Sequence, residues 1–128
     1  MKNEKKKVLV IEDSRMVREA VRMALEVHGF QVITANDGEE GLAVAAVEHP
    51  DDIVMDWNMP GLTGKALMHK LHANEHTSRI PIIVMSASSK AELHGSSEMV
   101  DIKGYFKKDS NVLERLVHAL QKQVPALV

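Results

Sequence analysis

The sequence has no cysteine, no long apolar run and no marked excess of either charge. The absence of cysteine excludes a disulfide framework and a thiolate metal cluster. The formal net charge is −2 at pH 7, which argues against a protein that binds nucleic acid or an anionic membrane surface. No apolar segment approaches the roughly 18 residues of a membrane span. We therefore expect a cytoplasmic protein whose function comes from a local site.

The length of the chain, 128 residues, fits one domain that covers residues 1–128. Residues 1–6 are mostly charged, and only four apolar residues, Val8 to Ile11, follow them. Because a signal peptide needs a longer apolar region, we expect residues 1–6 to be a solvated leader. Residues 124–128 are expected to form a short tail.

Short apolar runs alternate with segments of helical character along the chain. Five runs predict strands because they are short and bounded by turn signals: residues 8–11, 30–35, 53–56, 80–85 and 103–108. Capping residues and helical spacing predict a helix after each strand: residues 16–25, 42–47, 63–73, 90–98 and 112–120. This alternation predicts an α/β fold with a parallel sheet, right-handed crossovers and helices on both faces.

Acidic residues stand at the carboxyl ends of two predicted strands. Glu12 and Asp13 follow the first strand, and Asp56 ends the third. Open α/β sheets bind ligands at this edge, so the three carboxylates would lie close together. Such a like-charge cluster is costly unless a cation neutralises it, and a few hard oxygen ligands suit Mg²⁺. Asp56 is then a candidate nucleophile toward a phosphoryl group.

Two more residues at the same edge would complete a site for an aspartyl phosphate. Its phosphoryl oxygens need a metal ion, a lysine and a hydroxyl as partners. Ser86 supplies the hydroxyl at the end of the fourth strand, and Lys108 supplies the charge at the end of the fifth. Lys107 is adjacent, but neighbouring residues on a strand point to opposite faces, so only one of the two lysines can reach the phosphate.

These residues resemble the receiver domain of bacterial two-component response regulators, especially the single-domain chemotaxis type, across residues 7–123. The resemblance rests on the acid pair, on Asp-x-x-Met-Pro-x-x-x-Gly beginning at Asp56, and on Ser86 and Lys108 after the last two strands. It implies a flavodoxin-like, doubly wound sheet of five strands in the order 2-1-3-4-5 with five helices. It further implies a switch that catalyses only its own phosphorylation and dephosphorylation, not an enzyme.

The resemblance also implies partners for the site. Asp56 would accept phosphate from a sensor histidine kinase or a phosphotransfer protein, and the switched domain would bind a downstream protein whose identity the sequence leaves open. Mg²⁺ would be held by Asp13, Asp56 and the backbone carbonyl of Asn58, with Glu12 acting through water. Neither direct binding to nucleic acid nor membrane attachment is expected.

The family's switch pair matches Ser86 and Tyr105. In that family the hydroxyl turns toward the phosphate and the aromatic ring turns inward, and the resemblance implies the same motion for Ser86 and Tyr105. The spacing from these two residues favours Lys108 over Lys107 as the site lysine. The weak helix predicted over residues 90–98 is expected to be short, to move with the switch and to form the partner face together with Tyr105 and the last helix.

Three residues depart from the family pattern. Glu12 is one methylene longer than the usual aspartate, which still predicts metal binding. Asp52 stands where the family has an apolar residue, and we expect it to be exposed at the start of its strand. Asp109 replaces a proline that follows the lysine, and because a cis bond before a non-proline residue costs about 2.5–4 kcal/mol, we expect a trans peptide bond.

Two other classes of protein fit this sequence less well. A haloacid-dehalogenase-type phosphatase needs a second aspartate two residues after the nucleophile, where this chain has Asn58. A flavin-binding flavodoxin needs a Ser/Thr/Gly-rich phosphate loop after the first strand, where this chain has Glu12 and Asp13. Two alternatives within the family stay open: a phosphate shuttle in a phosphorelay, and a receiver cut from a larger regulator or hybrid kinase.

Overall fold

The computed structural model describes residues 5–87 and 102–122. The elements in chain order are β1 (Lys7–Ile11), α1 (Arg15–Val27), β2 (Gln31–Ala35), α2 (Gly38–Glu48), β3 (Asp52–Asp56), α3 (Gly64–Ala73), β4 (Ile82–Ser86), β5 (Gly104–Lys107) and α4 (Val112–Gln121). All five predicted strands are confirmed. These two ranges contain four helices, and the helix predicted over residues 90–98 lies outside them.

The strands form one parallel sheet in the order β2-β1-β3-β4-β5, as predicted. Every residue of β3 and β4 is buried, which is the pattern of strands that are covered on both faces. β3 pairs with β1 and β4, and β4 pairs with β5, so that Ser86 faces Lys107. The carboxyl ends of these four strands therefore meet at one edge.

Alternation along each strand divides the core into two layers. On one face, Leu9 and Met55 pack with Leu67 of α3, and on the other, Val10 and Val54 pack with Leu116 of α4. The sheet is thus doubly wound. Among the residues described here, no helix has both the length and the apolar character needed to cross a membrane.

Polar side chains set the point at which three helices begin. Ser14, Asp37 and Thr63 precede α1, α2 and α3, and each accepts a hydrogen bond from the backbone N–H three residues further on. Each cap satisfies a donor that the first turn of a helix leaves without a partner. The caps at Ser14 and Thr63 lie in the loops that follow β1 and β3, so they help to fix the chain just after the acidic residues at these strand ends.

Asp52 is buried, and the expectation that it is exposed was wrong. It lies at the amino end of β3 with 0% of its surface exposed, and its Oδ2 is 3.3 Å from Nζ of Lys6. Burial raises the pKa of the Asp52 carboxyl, and this effect outweighs the opposing effect of Lys6. Lys6, the last residue of the predicted leader, thus pairs with a carboxylate at the amino edge of the sheet, opposite to the edge that holds Glu12 and Asp56.

Asp52→Asn is expected to increase the free energy of unfolding near neutral pH, by about 1 kcal/mol, because it removes a poorly compensated buried charge. The pKa of Asp52 in the folded state lies above its ordinary value of 3.8, so between these two pKa values the folded state binds more protons than the unfolded state. The wild type therefore loses stability as pH rises through this range. The variant lacks this loss. Denaturant unfolding of both chains at mildly acidic and neutral pH should show the difference growing with pH. A constant difference would contradict the assignment.

Candidate functional site

Three carboxylates converge at the carboxyl edge of the sheet. Glu12, Asp13 and Asp56 each offer one oxygen, and these oxygens all lie within 4.8 Å of one another. Glu12 and Asp56 are buried, with 0% and 3% of their surface exposed, whereas Asp13 is exposed. Two oxygens bound to one ion at about 2.0–2.1 Å lie at most about 4.2 Å apart, so the three donors are close to the separations that a hard cation needs. The acidic cluster therefore fits a metal ion with one side open to solvent.

Lys108 reaches this acidic cluster from the end of β5. Its Nζ lies 2.9 Å from Oε1 of Glu12 and 3.1 Å from Oδ2 of Asp56. Its backbone N–H donates to the carbonyl of Ser86 at 2.8 Å, which extends the β4–β5 pairing by one residue. Lys107, the last residue of β5, is exposed. The structure thus brings Lys108 to the carboxylates, as alternation along the strand requires for one of the two lysines.

The electrostatics of the cluster follow from its burial. Burial raises the pKa of the Glu12 carboxyl, and it outweighs the N–H of Ser14, which donates to Oε2 at 2.9 Å, and the contact with Lys108. Burial by itself lowers the pKa of Lys108, but the adjacent Glu12 and Asp56 raise it overall. Lys108 is therefore charged at neutral pH, and it offsets part of the negative charge of the carboxylates.

Ser86 and Asn58 meet beside the acidic cluster. Ser86 is fully buried at the end of β4, and its Oγ donates to Oδ1 of Asn58 at 2.9 Å. The backbone N–H of Asn58 donates to Oδ1 of Asp56 at 3.1 Å, which forms a local turn after the strand. The Asp-x-Asn spacing is a signal for that turn. The side-chain contact with Ser86 was not predicted, since the resemblance implied a role only for the backbone carbonyl of Asn58.

Arg18 is a second residue that sequence reasoning missed. Its Nη1 donates to the backbone carbonyl of Glu12 at 3.0 Å, across the start of α1. The N-cap at Ser14 places the first turn of α1 beside the end of β1, so a long side chain from that turn can reach back to it. An arginine in the first turns of this helix is the sequence signal, although it does not specify the carbonyl as partner.

Trp57 and Gly64 fix the loop that follows Asp56. Trp57 is buried, with 8% of its surface exposed, and its backbone N–H donates to the backbone carbonyl of Met85 at 2.8 Å. A Cβ atom on Gly64 would lie 2.7 Å from the carbonyl oxygen of Trp57, closer than real Cβ contacts allow. The last glycine of the predicted motif is thus required by the close approach of α3 to the backbone next to Asp56.

Tyr105 occupies the middle of β5, where it pairs with Val84. Its side chain is half-buried and packs against the core layer that contains Leu67. Ser86 lies two residues after Val84, so the two predicted switch residues stand on neighbouring strands. The switch role of this pair stays a prediction. Of the expected partner face, the segment over residues 90–98 lies outside the described ranges, whereas Tyr105 and the last helix, α4, lie within them.

Asp109 follows the site lysine, and the peptide bond between Lys108 and Asp109 is trans, as expected. Oδ1 of Asp109 accepts from the backbone N–H of Asn111 at 3.0 Å and from Nη2 of Arg115 at 2.9 Å. The guanidinium of Arg115 lowers the pKa of the Asp109 carboxyl. Asp109 thus orders the turn between Lys108 and α4.

Comparison with known proteins agrees with the fold. Residues 8–121 match the family of response regulator receiver domains. This chain belongs to that family, which operates in two-component signalling, and the predicted resemblance is confirmed.

The chain is similar to chemotaxis proteins over nearly its whole length. It is 27% identical over 121 residues to the chemotaxis protein CheY of Pseudomonas aeruginosa, covering 92% of this chain and 98% of the relative. The structure of CheY4 of Vibrio cholerae superimposes with a TM-score of 0.84 at 31% identity, covering 93% of this chain and 98% of the other. The predicted chemotaxis-type receiver fold is thereby confirmed.

Longer regulators match over a shorter region. A probable transcriptional regulator, ycf27 of Cyanophora paradoxa, is 39% identical over 87 residues, which make up 68% of this chain and 35% of that protein. The match thus spans about a third of the length of such regulators. What the whole of such a protein does is therefore a separate question from what this chain shares with it.

Proposed function

We propose that this chain is a phosphoacceptor switch in which Asp56 takes a phosphoryl group from the phosphohistidine of a kinase or phosphotransfer protein. One observation carries the proposal: the nearly buried carboxylate of Asp56 lies 3.1 Å from Lys108 and within 4.8 Å of two other carboxylates, in a chain of the receiver family. A carboxylate in this setting has both a cation for the phosphoryl charge and donors that fit a metal ion.

The transfer makes one bond and breaks one. A carboxylate oxygen of Asp56 forms a bond to phosphorus, and the nitrogen–phosphorus bond of the donor histidine breaks, its electron pair leaving with the imidazole. Lys108, already charged and placed by its contacts, pairs with a phosphoryl oxygen. Ser86 donates its hydroxyl proton to another phosphoryl oxygen. The chain is thus a stoichiometric acceptor and does not turn over a separate substrate.

We assign Mg²⁺ as the metal of the acidic cluster. Asp13, Asp56 and the backbone carbonyl of Asn58 would hold the ion, with Glu12 acting through water. When bound, the ion supplies positive charge against the phosphoryl oxygens. The chain's own residues explain the need for it, since one lysine offsets only part of the charge of three carboxylates toward an incoming phosphate.

The output is proposed to be a change in a protein-binding face. Engagement of Ser86 by phosphate would leave space into which Tyr105 turns, and a partner would bind the altered surface. A phosphorelay shuttle, or the receiver part of a longer regulator or hybrid kinase, would use the same chemistry. Addition of a phosphotransfer protein distinguishes the shuttle. Only a shuttle transfers its phosphoryl group on to a histidine about as fast as it receives that group.

The proposal is tested with acetyl phosphate as a small phosphodonor. In the presence of Mg²⁺ we expect a gain in intact mass of about 80 Da, one phosphoryl group per chain. A chelator in place of Mg²⁺ should prevent the gain. The fluorescence of Trp57, the single tryptophan, provides a second readout because it adjoins Asp56. No gain in mass with metal, or an equal gain without it, would contradict the proposal.

A further inference from the structure

The hydrogen bond between Ser86 and Asn58 joins two neighbouring strand ends. Oγ of Ser86 donates to Oδ1 of Asn58 at 2.9 Å, and the two residues are 28 positions apart in the chain. Ser86 is fully buried, whereas Asn58 is exposed, and the backbone N–H of Asn58 donates to Oδ1 of Asp56 at 3.1 Å. The side chain of Asn58 therefore contacts the switch hydroxyl while its backbone contacts the phosphoacceptor.

A serine hydroxyl carries a single proton. In this structure that proton is donated to Asn58, but the proposed function requires Ser86 to donate it to a phosphoryl oxygen on Asp56. The hydroxyl cannot donate to both oxygens at once. Formation of the phosphorylated, switched state must therefore break the bond between Ser86 and Asn58.

We propose that Asn58 is a positioning residue that restrains the switch in its unphosphorylated state. Its amide oxygen stabilises the arrangement in which the hydroxyl of Ser86 points toward the loop that follows β3. It therefore lowers the population of the switched arrangement. The inference rests on the proposed function of Asp56 and Ser86. It assigns the side chain of Asn58 a role separate from the metal ligation expected of its backbone carbonyl.

The size of the effect follows from the strength of one neutral hydrogen bond. A typical net contribution corresponds to a shift of about two- to tenfold in an equilibrium between two states. A ligand that binds only the switched arrangement has its apparent affinity reduced by the same factor, because it must first displace the favoured state. Removing the amide should therefore tighten the binding of a phosphate mimic.

The test is a titration of the whole chain with beryllofluoride in the presence of Mg²⁺, followed by the fluorescence of Trp57. Asn58→Ala should bind the mimic about two- to tenfold more tightly than the wild type. Asn36→Ala, the same change in an exposed residue after β2 at the same sheet edge, should leave the affinity unchanged. Unaltered or weaker binding by Asn58→Ala would overturn the inference.

A second background separates restraint of Ser86 from other effects of Asn58. In Ser86→Ala the hydroxyl is absent, so adding Asn58→Ala should change the affinity for beryllofluoride by less than about twofold. An effect that persists in this background would mean that Asn58 acts without Ser86, and it would overturn the inference. If the wild type itself shows no response to the mimic, the proposed function fails and this inference fails with it. A wild-type response with no change in Asn58→Ala refutes the restraint alone.

Discussion

Asp56→Asn is expected to abolish phosphorylation by acetyl phosphate, with no gain in mass under conditions that fully modify the wild type. The amide lacks the nucleophilic oxygen of a carboxylate. The other carboxylates of the acidic cluster are not expected to replace it. Glu12 is fully buried and paired with Lys108, and Asp13 is exposed, without a lysine contact of its own among the ion pairs of the described residues.

The control for this prediction lies at the other end of the same strand. Asp52→Asn changes a carboxylate of β3 that is also buried, four residues earlier at the amino end of the strand. Its phosphorylation should match that of the wild type, so a loss in both variants would indicate a general effect on folding. A gain of about 80 Da in Asp56→Asn would show that another residue is the phosphoacceptor.

Lys108→Ala is expected to reduce the fluorescence response of Trp57 to beryllofluoride, a mimic of the phosphoryl group, at least about tenfold. The reason is that hydrogen bonds between a charged lysine and a phosphoryl oxygen are among the strongest available. The measurement is the fluorescence change of Trp57 with beryllofluoride and Mg²⁺. Lys107→Ala removes the same charge from an exposed side chain one residue earlier, and it should respond like the wild type. Equal losses in the two variants would refute the assignment of Lys108 to the site.

Stability should also distinguish the two lysines. Loss of Lys108 leaves the buried Glu12 without its ion pair, at a cost of about 1–3 kcal/mol in the free energy of unfolding. The pKa of Glu12 is already raised by burial, so its charged form destabilises the fold, and the deficit should grow as pH rises through that pKa. Denaturant unfolding at two pH values measures this. A deficit that shrinks with rising pH would contradict the sign.

Much of this protein could be predicted from its sequence because the relevant signals are local. The strands of the sheet are short apolar runs between turn residues, and Ser14, Asp37 and Thr63 mark where three helices begin. Once the alternation of strands and helices requires a parallel sheet, Glu12 and Asp56 must meet at one edge. The convergence of the carboxylates follows from topology and needs no knowledge of side-chain packing.

Other features were decided only by the tertiary structure. Asp52 is buried with Lys6 as its ion-pair partner, and the pairing of β1 with β3 brings these two distant residues together. The hydrogen bond between Asn58 and Ser86 requires the loop after β3 to lie against the end of β4. No sequence pattern near either residue predicts how close the two segments come. The sequence by itself predicted the strand order, through the family resemblance. It also predicted which chemical groups meet at the sheet edge, because they stand at the carboxyl ends of parallel strands. Which polar groups become partners was decided by contacts between distant segments, because a hydrogen bond requires a separation near 3 Å that only the packed fold sets.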